Sequence, residues 1–88
     1  MRIVILYHPN SEQDGMTQDF KRDFEARHYG QTIELVSLET KEGSDMAALY
    51  DIVRYPALLV LTGDGGLQKL WQDLPWPSLD EVYSYARP

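Results

Sequence analysis

The densest run of chemically capable side chains is His8-Pro9-Asn10-Ser11-Glu12-Gln13-Asp14, with an imidazole, a hydroxyl and two carboxylates inside one turn. Ser11 with His8 or His28 and Asp14 supplies the residue types of a hydrolytic triad, in which a base takes the hydroxyl proton and a carboxylate orients the base. That chemistry also needs a nucleophile on a strained turn and an oxyanion hole, and nothing around Ser11 resembles a nucleophile elbow. The plainer account makes Asn10 and Ser11 helix N-cap residues and His28 a favoured cation at the helix C-terminus. A metal site from His8, Glu12 and Asp14 has no repeated ligand spacing, so no metal and no cofactor are expected. Free amides at the start of that helix would suit an anion, but Glu12 and Asp14 already complement the dipole and repel one.

The chain has no cysteine. This removes disulfides, thiol redox chemistry, thiolate zinc sites and cysteine nucleophiles together. Its 8 basic and 14 acidic residues give a net charge of −6 and a pI near 4.6. Without a Lys/Arg cluster, neither nucleic acid nor an anionic membrane surface is an expected partner. Hydrophobic residues at 43% and charged residues at 25% describe an ordinary globular chain, and 88 residues make one domain spanning 1–88. The apolar run after Met1 is too short for a secretory or membrane segment, so a cytoplasmic location is the expectation.

The elements that must position these groups follow from periodicity. Ile3 to Tyr7 is a β-branched run without alternation, the signature of a strand buried on both faces. Met16, Phe20 and Phe24 recur at a spacing of four, a helix stripe stopped at Gly30. Thr32 to Glu39 reads as a second strand nearer a sheet edge. Ser44 is the expected cap of a second helix, with Met46, Leu49, Tyr50 and Val53 as its core stripe. Pro56 opens a third strand, Ala57 to Thr62, and Gly63-Asp64-Gly65-Gly66 turns it into an antiparallel partner, Leu67 to Gln72. Ser78 caps a last helix. The order β-α-β-α-β-β-α predicts an α/β domain whose mixed four-stranded sheet has helices on both faces.

With these elements in place the chain resembles the thioredoxin-like fold in its minimal, glutaredoxin-like form. Three stretches carry the likeness: Ile3 to Tyr7 running into a polar turn and helix, Tyr50-Asp51-Ile52-Val53-Arg54-Tyr55-Pro56-Ala57-Leu58, and the Gly63–Gly66 hairpin with its closing helix. The resemblance implies a cis Tyr55–Pro56 bond. It also implies a groove between the Pro9–Asp14 loop and the Arg54-Tyr55-Pro56 loop, where main chain is offered to an extended peptide. Tyr55, Pro56, Arg54, Tyr7 and His8 would form that groove; alternatively Pro56 only shapes its loop. Redox-active members carry a Cys-x-x-Cys pair after the first strand. Counting from Tyr7 places it at Glu12 and Gly15, or at Ser11 and Asp14, and neither frame holds a thiol. The buried aspartate that serves the first cysteine falls on Leu6 or Ile5.

The expected function is therefore a non-catalytic module that binds an unidentified protein or peptide at the proline face. The alternative is an oligomeric interaction domain, a homodimer using a sheet edge or the C-terminal aromatic end. There Trp76 between Pro75 and Pro77 could be a rigid anchor, or could fold back over the sheet. An enzyme with non-thiol chemistry would have to rely on Glu12 or His8 in a cleft.

Overall fold

Strands that hold only apolar side chains lose least when both faces are covered, and the two most apolar runs take the middle of the sheet. The computed structural model describes residues 1–87. The elements run β1 (Arg2–Tyr7), α1 (Asp14–Arg27), β2 (Ile33–Ser37), α2 (Lys41–Leu49), β3 (Ala57–Leu61), β4 (Leu67–Gln72) and α3 (Leu79–Ala86). The sheet order is β2-β1-β3-β4. β1 and β2 are parallel with Ile5 opposite Leu35, whereas β1 and β3 are antiparallel with Ile5 opposite Leu58. β3 and β4 are antiparallel with Leu58 opposite Trp71.

Alternation along β1 and β3 sends successive side chains to two separate cores. Ile3, Ile5, Leu58 and Val60 join Phe24 of α1 and Val82 of α3 on one face. Val4, Leu6, Leu59 and Leu61 join Met46 and Ile52 on the other, under α2. Phe24 and Val82 are fully buried, and each such side chain contributes about 1.5–3 kcal/mol relative to exposure. α1 and α3 are also tied at their ends: Arg27 donates twice to Asp80, at 2.7 and 2.8 Å. His28 lies 3.1 Å from the same carboxylate and stacks on Tyr83. These bonds, Arg27 foremost, hold the Asp80 carboxyl below its usual range.

Several helix boundaries depart from the periodic reading. α1 starts at Asp14 behind Gln13, which makes no side-chain cap; Ser11 instead bonds within the preceding turn. α2 starts at Lys41, and Thr40, not Ser44, is its cap, its side chain accepting from the Gly43 amide. The expected core stripe on α2 is also displaced. Leu49 and Val53 are 73% and 74% exposed, because α2 ends at Leu49 and Asp51 turns the chain with φ +56°. The face toward the sheet is Gly43, Met46, Ala47 and Tyr50, at i, i+3, i+4 and i+7. Gly43 permits this approach, since a Cβ there would stand 2.1 Å from the Ser37 carbonyl oxygen.

Candidate functional site

The register that places Leu6 opposite Ala57 makes the chain leave β1 and enter β3 at the same end of the sheet. That geometry brings His8 to Tyr55, with ring centroids 5.2 Å apart and planes at 73°. The Tyr55 hydroxyl donates to the Ile52 carbonyl at 2.8 Å, and the ring packs against the core on the α2 side. Tyr7 packs against the opposite core, under α1 and α3. The two tyrosines thus flank the sheet end from opposite faces and do not form one aromatic wall. Arg54 is exposed and Pro56 is buried. The Tyr55–Pro56 peptide bond is cis, as is Leu74–Pro75.

β4 and the segment after it fix the loop around Pro56, through residues that sequence reasoning missed. The Gln72 side-chain oxygen accepts from the Val53 and Arg54 amides, at 3.0 and 3.2 Å. The Pro56 carbonyl accepts from the Asp73 amide at 3.2 Å and from the Trp76 indole at 3.4 Å. Between these engaged neighbours, the Tyr55 amide and carbonyl have no hydrogen-bond partner among the described residues. No local pattern marks Gln72 for this role; only the β3–β4 pairing brings it there. Trp76 is partly buried, with Phe20 edge-on at 4.8 Å, and so lies against the sheet end beside the site.

The Pro9–Gln13 turn is held by its own serine. The Ser11 hydroxyl donates to the His8 carbonyl at 2.7 Å and accepts from the Gln13 amide at 3.3 Å, so it addresses main chain and not an imidazole. His28 closes the far end of the 14-residue α1, about 20 Å along the axis at 1.5 Å per residue. The triad types are present but are not assembled. Glu12 and Gly15 are exposed, and one Asp14 oxygen is buried without a partner among the described residues. Those residues contain no group of three or more His, Asp or Glu side chains arranged for a metal ion. They also contain no helix long and apolar enough to cross a membrane.

A cavity of about 490 Å³ opens at the other end of β1, lined by Arg2, Lys41, Glu42, Asp45, Met46, Leu49 and Tyr50. Most of its charges are matched: Arg2 pairs with Glu34 at 2.9 Å and Lys41 with Asp45 at 2.8 Å. Six residues of extended chain, roughly 17–20 Å, separate it from the Tyr55 end, and it shares no residue with that site.

No family model matches this chain, and no curated relative does. Among solved structures, thioredoxin 1 from the thermophilic eubacterium Thermosipho africanus matches with a TM-score of 0.67 and 14% identity. The match covers 97% of this chain and 89% of that one. At that identity the likeness speaks for the fold alone. The dithiol chemistry associated with thioredoxins requires two cysteine thiols, and this sequence supplies none. The chain is an α/β domain with the thioredoxin-like fold and without cysteine.

Proposed function

We propose that this domain is a non-redox binding module that takes an extended segment of a protein or peptide across Tyr55. The observation that carries the reading is the unpaired Tyr55 amide and carbonyl, set between the engaged Arg54 amide and the engaged Pro56 carbonyl. An extended segment supplies one acceptor and one donor at that spacing, as in strand addition. His8, edge-on to the Tyr55 ring, and exposed Arg54 border the same position and would read the side chains that flank the pairing. The Gln72 clamp holds the loop before binding, which lowers the ordering cost of association.

The test is selection of peptides from a random library against the wild-type domain, followed by titration of the binders into labelled protein by NMR. The expected result is binding with shifts concentrated at residues 7–14 and 53–56, and loss of at least tenfold in affinity for Tyr55→Ala and Arg54→Ala. Circular dichroism establishes that both variants are folded. Binders that perturb other surfaces, or that bind both variants unchanged, refute the reading.

A further inference from the structure

The geometry points to a second copy of this chain as the partner of the free edge of β4, paired antiparallel about a two-fold axis at Trp71. β4 is an outer strand of the sheet. In an antiparallel ladder, hydrogen-bonded and non-bonded residue pairs alternate. The Asp73 amide bonds the Pro56 carbonyl at 3.2 Å, which sets the phase for the register of β3 and β4. Trp71 and Lys69 therefore direct their main-chain groups toward β3, and Leu70 and Gln72 direct theirs outward.

The outward run is closed at both ends. Val60 faces Lys69 while Leu61 faces Leu67, so Gln68 is the extra residue of a bulge. At the other end Asp73 is the last residue in register, its amide bonding the Pro56 carbonyl, and its φ of +65° turns the chain out beyond it. Only Leu70 and Gln72, two residues apart, present both N–H and C=O within a straight stretch. Neither main chain is engaged elsewhere among the described residues. Two such edges satisfy each other in one way: Leu70 of one copy opposite Gln72 of the other, and the reverse, giving four main-chain hydrogen bonds. The opposite edge of the sheet is less free, because Glu25 accepts from the Ile33 amide at 2.9 Å.

The side chains argue for a copy of this chain over an unrelated strand. Centring the pairing on Trp71 sets Trp71 against its own counterpart in a close, non-bonded pair, the geometry in which aromatic pairs interact best. The same register sets Lys69 opposite Asp73 on both sides of the axis. β4 itself carries one charge, Lys69, so in a chain of net charge −6 the attraction between two copies at this edge rests on the Lys69–Asp73 pairs. Lys69 already lies over the Trp71 and Tyr85 rings, 5.6 and 5.5 Å from their centroids.

Sedimentation velocity on the wild-type chain tests this directly. So small an interface belongs to the weak end of specific association, so the mass is expected to rise from 10.2 kDa toward twice that value near about 100 µM. Lys69→Glu opposes two carboxylates twice and Asp73→Lys opposes two ammonium groups twice, so each variant alone is expected to lose about tenfold or more in dimer affinity. An equimolar mixture of the two restores both attractive pairs and is expected to dimerise, which also shows that each variant is folded. A wild-type chain that stays monomeric to about 1 mM overturns the proposal. So does dimerisation that neither variant weakens, or a mixture no better than its components. None of these outcomes bears on peptide binding at Tyr55, which uses other main-chain groups.

Discussion

Gly43 offers a sharp test of how α2 is seated, because helix propensity and packing predict opposite signs for one substitution. Replacing a helical glycine by alanine ordinarily stabilises by roughly 0.5–1 kcal/mol. At Gly43 the added Cβ would lie 2.1 Å from the Ser37 carbonyl oxygen, 2.8 Å from its carbon and 3.1 Å from the Leu38 Cα. These are backbone atoms, so no side chain can rotate away. Carbon–oxygen contact needs about 3.3 Å, and α2 or the end of β2 must therefore retreat by about 1.2 Å, the difference from 2.1 Å. That retreat strains the bond from the Gly43 amide to the Thr40 side chain, now 3.0 Å, and loosens Met46 against Val4, Leu6 and Leu59. Overpacking of this kind costs about 1–3 kcal/mol, and it outweighs the propensity gain. Gly43→Ala is expected to be destabilised by about 1–2 kcal/mol. Gly15→Ala is the control: Gly15 lies in the first turn of α1 with nothing within 4 Å of the added carbon, and the gain there is expected to be a few tenths to about 1 kcal/mol. Urea unfolding followed by tryptophan fluorescence reads both. With a slope of about 1 kcal/mol/M for a small domain, the midpoint falls by about 1–2 M for Gly43→Ala and rises slightly for Gly15→Ala. A Gly43→Ala domain as stable as the wild type would refute the seating of α2 described here.

Two further outcomes follow from the helix ends. Thr40→Ala is expected to cost about 1 kcal/mol through loss of the α2 cap, while Ser44→Ala, on an exposed helical site, stays within about 0.5 kcal/mol of the wild type; urea midpoints distinguish them. Asp80, held below its usual range first by Arg27 and then by His28, contributes stability that is complete above the unfolded carboxyl range, near about pH 4. That contribution is lost as pH falls through the lower folded value. Thermal unfolding of the wild type and Asp80→Asn should therefore differ at pH 7 and converge toward pH 2–3, and a gap that persists in acid refutes this account.

The parts of the fold legible in the sequence are those where side-chain type alone decides. Ile3-Val4-Ile5-Leu6 and Ala57-Leu58-Leu59-Val60-Leu61 have no polar face to offer water, so they must be central strands, and all nine are buried. The α1 stripe of Met16, Phe20 and Phe24 was legible for the same reason, and Phe24 is its buried anchor. α2 was misread because its contact face is led by a residue with no side chain. A glycine gives no hydrophobic signal, so Leu49 and Val53 completed a pattern that Asp51 interrupts in space. At the candidate site, His8 and Tyr55 stood out as residue types, and their contact follows from the antiparallel β1–β3 register. Gln72 and the Pro56 carbonyl were invisible. Their roles depend on which strand end passes the loop, a long-range fact no local spacing encodes.

The division of the hydrophobic interior into two clusters has a consequence for how the molecule breathes. One face of the sheet is covered by α1 and α3, 22 residues of helix clamped to each other by Arg27 and Asp80. The other is covered by one helix, the nine residues of α2, which ends in an exposed leucine, with Ile52 and Tyr55 beside it. Opening equilibria within one native structure differ according to how much apolar contact each unit must give up. Here α2 can lift while the opposite cluster still holds β1 and β3 together, so the least costly excursion from the native state uncovers Val4, Leu6, Leu59 and Leu61 without dissolving the sheet. The two halves of one small domain are thus expected to differ in lifetime, with amides of α2 exchanging with solvent at a lower free energy than those of the strands beneath them, which hydrogen exchange would read.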